Sequence, residues 1–408
     1  MFSLLRKYFS PFVRQKEELS LLQMFKPLYF LLAGIGLFPS AIEFPSGYRG
    51  HTVVLKSSSI NLACTFLNAT ITCIFFCLHM QKLFSAASKN NSFTKDPMTL
   101  ANYSTNLVIE VLVAIIVYIC AFKNRWSHIN ILNEIAGCWA DLSKSTRSVI
   151  LGPLRVQVNC VVLGSLLVML IIQLTVTFIQ RVSLYNKALV AITFNFPEML
   201  LFTVIAFYYV MIVMIVALLK NIDEHLMMIA RMRMGNDNMG LKPGASLKSL
   251  RQLRGAYGRT MAAKWQVNAA FQASLLFILA LTFHSLVCDA HGLYHIVAFH
   301  NDVTTLNMVV ESFWVFYQVA KFYVIGYSSA LLKLQVNKIG RTLHDISANI
   351  KDMTLFYQQI QHFVSLMKFQ DSEITIYGLF QLKSSLLFSV VASAVTYLVI
   401  LVQYDGGQ

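Results

Sequence analysis

The sequence predicts an all-α polytopic membrane protein with seven transmembrane helices. Hydrophobic residues make up 56% of its 408 positions and charged residues only 13%, more apolar surface than a soluble domain can hide. Apolar runs long enough to cross a bilayer recur at 57–80, 104–122, 156–179, 199–219, 266–288, 306–327 and 384–404. Lys and Arg, 33 in all, cluster in alternate connections between those runs.

Each run holds 19 to 24 residues, the length a helix needs to carry its own backbone hydrogen bonds across the hydrocarbon core. The earlier apolar stretch Leu28 to Phe38 has eleven residues. It would rise only about 16 Å as a helix, so it reads as an interfacial or re-entrant segment. After the sixth run, residues 328–383 show helical spacing at Phe356, Ile360, Phe363 and Met367. That spacing predicts a packed helix beneath the membrane.

Charge gives direction. Twenty-seven Lys and Arg lie before run 1 and between runs 2 and 3, 4 and 5, and 6 and 7; five lie in the opposite loops, and Lys321 sits inside run 6. By the positive-inside rule the N-terminus is cytoplasmic and the C-terminus extracellular. The sequons at Asn90 and Asn102 then fall in the first outer loop, as candidate glycosylation sites. The nine basic residues between runs 4 and 5 suit contact with anionic membrane lipid. Net charge of +14 is explained by these topogenic clusters, and no nucleic-acid partner is expected.

Several function classes lack their marks. The direction is opposite to that of a G-protein-coupled receptor; run 3 ends IQRVSLY, and the last run contains no NPxxY. No cytoplasmic tail is expected after it. There is no HExxH, GxSxG or phosphate-binding glycine loop, so no enzyme is expected. The seven cysteines show neither CxxC nor metal-ligand spacing, and no cofactor or metal is expected. In the third outer loop, CDAHGLYHIVAFHND, His291 and His295, four apart beside Asp289, read as solvated or pocket-rim histidines. A secondary transporter is the competing class, but Pro153 and Pro197 read as lying just before spans instead of breaking them.

The last run has two unlike faces. At 100° per residue, Ser385, Ser389, Ala392, Thr396, Val399 and Gln403 fall on one small, mildly polar line. Leu387, Val390, Val391, Leu398 and Leu401 fill the opposite surface. Such a line suits close helix packing, or, repeated by symmetry, the wall of a water-filled pore. Gln403 would then form an uncharged polar constriction, and Asp405 an acidic ring at the outer mouth that favours cations.

The stretch Ile374 to Tyr404 resembles the C-terminal signature of the insect gustatory receptors. Their TY-five-apolar-QF motif matches Thr396-Tyr397 through Gln403-Tyr404, and their Gly-hydrophobic-Phe-x-Leu element matches Gly378 to Leu382. Met24 to Ser40 resembles the family's stretch before its first span. Lys383 stands where the family often has an acid, and Tyr404 where it has Phe. The resemblance implies a ligand-gated, non-selective cation channel: a tetramer of like or related subunits, in the plasma membrane of chemosensory neurons. It implies Gln403 as gate, with Ile400 and Thr396 further in. A small-molecule tastant is the implied ligand, more often bitter or aversive than sugar.

The implied organisation is a cytoplasmic segment 1–56, a ligand-binding bundle 57–327, a cytoplasmic helical anchor 328–383 and a pore helix with a short outer tail 384–408. For the ligand, the outer halves of the middle runs offer Glu110, Gln173, Thr203, Tyr208, His284, Glu311 and Trp314. Polar groups within a membrane face protein or a watery cavity, and buried carboxylates above all call for a purpose.

Overall fold

In the computed structural model, residues 21–43, 54–56, 59–84, 97–142, 147–179, 184–234, 243–299, 305–348 and 355–405 are described. The helices are α1 (Leu21–Gly34), α2 (Ser59–Phe84), α3 (Pro97–Lys123), α4 (Arg125–Asp141), α5 (Arg147–Ile179), α6 (Leu184–Val190), α7 (Phe196–Met234), α8 (Pro243–Phe299), α9 (Thr305–Ala348), α10 (Leu355–Phe369) and α11 (Ser385–Asp405). A π-helical turn, Ala191–Asn195, joins α6 to α7. Two short antiparallel hairpins complete the described elements, β1 (Ala41–Glu43) with β2 (Val54–Lys56), and β3 (Thr375–Ile376) with β4 (Phe380–Gln381).

Among the described residues, six helices are long and apolar enough to cross a membrane: α2, α3, α5, α6–α7, α8 and α9. The 21-residue α11 is the seventh. Seven apolar runs thus become seven helices. Three run well past the spans read from sequence, because their polar ends keep helical hydrogen bonds outside the apolar stretch. Helix α8 spans 57 residues and takes in the stretch through Phe299 that sequence reading assigned to an outer loop. Helix α9 reaches Ala348, well into the connection expected after run 6. Pro153 lies inside α5 and Pro197 is the second residue of α7, so neither precedes its helix as expected. Pro197 follows directly on the π-helical turn, whose wider i→i+5 spacing accommodates the ring and the missing N–H within the continuous α6–α7 helix.

The bundle is built around α7, which packs on α3, α5, α8 and α9. A helix apolar on every side belongs in a core. Leu200, Leu201, Ile205, Met211, Ile215, Leu218 and Ile222 are accordingly all buried. The outer helices are reversed. Buried residues on α2 are Thr65, Thr72, His79 and Leu83, while Ile60, Phe66, Leu67 and Ile74 are exposed. Helix α5 likewise buries Asn159 and Ser165 and exposes Leu163, Leu166, Leu167 and Leu170. Polar groups in and greasy groups out is the arrangement of a protein whose solvent is lipid.

Helix α1 is packed against α5, α2 and α4, with Phe25, Leu28 and Leu32 wholly buried. The chain turns at Gly36 (φ +81°), whose carbonyl accepts a hydrogen bond from Thr65 Oγ1 at 2.7 Å. A Cβ there would stand 2.8 Å from the Thr65 Cα, against backbone that cannot step aside.

At the other end of the helices, α10 presents Phe356, Ile360 and Phe363 to α8 and α9. The segment from α10 to α11 is strapped to α8 by side chains. Buried Lys264 donates to the carbonyls of Asp371 (3.0 Å) and Glu373 (2.5 Å), and Asn268 donates to that of Thr375 (2.9 Å). Lys333 and Lys383 flank the Glu373 carboxylate at 2.9 and 3.7 Å, and the Lys333 hydrogen bond holds that carboxyl below the usual range. Lys383 therefore sits beside an acid of its own chain. Next to it, Gly326 on α9 faces the backbone at the base of α11, where a Cβ would meet the Lys383 carbonyl oxygen at 3.0 Å.

Two substitutions test these joints by thermal unfolding in detergent. Gly36→Ala is expected to cost about 2 kcal/mol or more, since positive φ and a backbone clash act together. Lys264→Met keeps the stem's bulk but leaves two carbonyls unpaired, at a cost of about 1–3 kcal/mol. Hydrogen exchange in residues 371–376 should accelerate with it.

Candidate functional site

Two features of the bundle can carry function, an open face on α11 and a buried polar cluster between α3, α7, α8 and α9. Helix α11 packs on α8 and α9 through Leu386, Leu387, Val390, Ala394 and Leu398, and its remaining surface is open. Taking buried Ala394 as the inward direction, Ser385, Ser389, Ala392, Thr396, Val399 and Gln403 all fall within about 40° of the opposite one. Every one of them is exposed, as is Ile400. Thr396 and Ser389 return their hydroxyls to carbonyls one turn back, at 3.0 and 3.4 Å, which lessens the cost of placing them toward lipid. Val391, from the apolar surface opposite that line, is exposed as well. Helix α11 ends at Asp405. The single chain thus leaves the small, mildly polar line uncovered.

The polar cluster lies toward the opposite end of the bundle from the strap. On α8, Asp289 is 25 residues beyond Lys264, about 37 Å along the helix. Lys321 of α9 and Glu198 of α7 form a buried ion pair. Tyr317 donates to the Glu198 carbonyl at 3.3 Å, and the Lys321 Nζ lies 4.5 Å from the centre of the Tyr317 ring. Gln318 donates to Asp289 Oδ2 at 3.3 Å. Beside them, Ser285 of α8 donates to Asn106 of α3 at 3.0 Å.

Glu110 of α3 is wholly buried within electrostatic range of Glu198, Lys321 and Asp289. Neither of its carboxylate oxygens has a hydrogen-bond partner of normal geometry among the described residues. Glu311 of α9 stands over Gly292 of α8, where a Cβ would lie 3.6 Å from its Oε2, and within electrostatic range of Asp289. Four carboxylates and one ammonium therefore share one region of the bundle.

An aromatic group adjoins it. Tyr317 stacks on Phe313 at 6.4 Å and 12°, meets Trp314 edge-on at 5.8 Å, and lies 5.8 Å from Phe202.

The structure thus brings Glu110, Glu311 and Trp314 into one neighbourhood, together with Glu198, Asp289 and Lys321. The other candidates have different surroundings. Gln173 accepts a hydrogen bond from Asn195 beside the π-helical turn, at 3.3 Å. Thr203 donates to the Met199 carbonyl of its own helix at 2.8 Å. Tyr208 lies 5.7 Å from the Phe271 ring, and His284 lies 3.7 Å from the Cys288 sulfur. Asn102 is in the second turn of α3, not in a loop, with neighbouring Tyr103 packed on His79 and Phe194; Asn90 lies outside the described residues. No group of three or more His, Cys, Asp or Glu suited to a metal occurs among the described residues.

Sequence reading missed Glu198, which falls one residue before the apolar run assigned to span 4. No sequence signal marked it, because the helix already runs from Leu184 through the π-helical turn and carries Glu198 well inside its length. Asp289 was read as part of a loop for a similar reason. A polar cleft of about 440 Å³ lies elsewhere, between the α3–α4 junction and α8, lined by Asn124, Ser127, Asn133, Glu134 and Gln266 among others.

Solved structures of the insect olfactory receptor OR5 from Machilis hrabei are similar over 94% of this chain and 98% of theirs. The structure in complex with eugenol has a TM-score of 0.70 and the structure without it 0.69, each at 12% identity. At that identity the likeness speaks for the fold. No curated protein matches the chain by sequence. The model of the 7tm chemosensory receptor family matches residues 25–406, nearly the whole chain, and the protein belongs to that family.

Proposed function

We propose that this protein is a gustatory receptor subunit acting as a ligand-gated, non-selective cation channel for bitter or otherwise aversive contact chemicals. The observation that carries the reading is the uncovered face of α11. A line of Ser, Ala, Thr, Val and Gln, turned away from the subunit's own core, is poorly suited to lipid and well suited to water between copies of the chain. Four copies around an axis would place Thr396, Val399, Ile400 and Gln403 along one aqueous path, with Asp405 at its mouth.

Orientation follows the charge asymmetry. The strap, α10 and the extended ends of α8 and α9 lie on the cytoplasmic side as the intersubunit anchor, and the Gln403 end is outside. The protein would act in the plasma membrane of chemosensory neurons. The ligand site is the cluster of Glu110, Glu198, Asp289, Glu311 and Lys321 with Trp314 and Tyr317, separate from the pore. The relative solved with eugenol supports small-molecule recognition in this fold.

The test is whole-cell current from the full-length chain in an otherwise silent cell, with Gln403 intact and replaced. Gln403→Ala is expected to change cation selectivity or block by about threefold or more, as removal of a polar constriction should. A current indifferent to Gln403→Ala would remove α11 from the pore.

A further inference from the structure

We propose that the carboxylate cluster selects a protonated amine, which makes the ligand class cationic. The inference rests on the ligand-site reading above and deepens it. Its basis is a surplus of acids over bases in a place where an unpaired charge is costly. Lys321 pairs directly with one acid, Glu198, and reaches Glu110 and Asp289 only at longer range. Asp289 has the Gln318 amide as a donor. Glu110 has no side-chain hydrogen-bond donor at either oxygen among the described residues, only the Glu198 backbone nearby, although its side chain has no exposure at all. A buried carboxylate short of donors forfeits most of its solvation. An ammonium guest would supply side-chain-like donors and positive charge together.

The geometry also distinguishes an amine from other cations. No described group of acids and histidines is arranged to enclose a metal. What borders the acids instead is aromatic. Tyr317, Phe313, Trp314 and Phe202 form a contiguous set of rings, and Tyr317 already carries a cation, the Lys321 ammonium, over its face. Carboxylate and aromatic face together are what an organic ammonium needs, one for its N–H groups and one for its charge and carbon skeleton. The acids also run as a series. Glu311 and Asp289 keep partial exposure, while Glu198 is nearly buried and Glu110 fully so. A cation entering at Glu311 would meet a carboxylate at each step inward. An anionic ligand would bring a further negative charge among acids, and a neutral polyol would find acceptors but give the surplus acids no counter-ion.

The experiment uses the full-length protein purified in detergent at fixed ionic strength, with melting temperature as readout. The probes are 2-phenylethylamine, 2-phenylethanol, phenylacetate and glucose, applied to wild type, Glu110→Gln and Trp314→Ala. The amine is expected to raise the melting temperature at the lowest concentration, the alcohol to act more weakly, and phenylacetate not at all. Glu110→Gln should weaken the amine's effect about tenfold or more while leaving the alcohol's unchanged. Because this substitution replaces a buried acid by an amide of nearly the same volume, the unliganded variant should melt no lower than wild type, which separates lost binding from lost folding.

Equal action of amine and alcohol on wild type would overturn the inference, as would an amine effect untouched by Glu110→Gln. Stabilisation by glucose alone would overturn it in favour of a sugar, and silence from all four probes would also count against it. The underlying site is judged separately. A neutral ligand whose effect is lost in Trp314→Ala but kept in Glu110→Gln preserves the site and removes only its preference for cations. A ligand indifferent to both substitutions removes the site.

Discussion

Everything in this fold depends on one constraint, that nothing around the bundle can satisfy a polar group. Backbone amides must therefore close on themselves in long helices, and polar side chains must turn inward. The effect is plainest on α2, where Thr65, Thr72 and His79 face the protein and phenylalanine and isoleucine face out. The same constraint makes α7 the centre, since a helix with apolar residues on every side can be surrounded, and its few polar groups are buried with it. It also turns each polar residue left inside into a question of partners. Thr65 meets the Gly36 carbonyl, His79 meets Thr193, and Lys321 meets Glu198. Glu110 and His128 are exceptions among the described residues, with both polar atoms of each side chain lacking a partner of normal geometry.

The spans were legible because crossing a bilayer imposes a length, and the seven apolar runs met it. Their ends were not. Hydropathy falls where α8 and α9 leave the apolar stretch, but helical hydrogen bonding has no reason to stop there, so both helices continue. That difference decided how much of the candidate site could be read. Glu110, Glu311 and Trp314 lie well inside runs and were found. Glu198 and Asp289 lie at the edges of runs and were passed over or placed in a loop. Gln173, Thr203 and His284 share a depth in the sequence with the acids, yet each has its own near neighbour. A one-dimensional reading gives depth along a helix well, but says little about which helix a residue faces.

The two faces of α11 were readable for the opposite reason. A helix at the edge of the bundle has only one packing direction, so its periodicity alone separates the line Leu386, Val390, Ala394 and Leu398 from the line through Gln403. Its base was not readable. Nothing in the order of residues suggests that Lys264, more than a hundred positions earlier, holds the carbonyls of Asp371 and Glu373.

That base has a mechanical meaning. At Gly326 the backbone of α9 and the start of α11 touch without an intervening side chain, a contact too tight to slide freely. The strap fixes the same point to α8. Beyond it, α11 rises as a rod of 21 residues, about 31 Å, held along one side only. A rod pinned at one end is a lever. Tilting it by about 5° at the fulcrum carries its tip nearly 3 Å, by about 31 Å of arm. Gln403 is at that tip, so a rearrangement of α9 no larger than a side-chain adjustment would be enlarged into a displacement as wide as a water molecule.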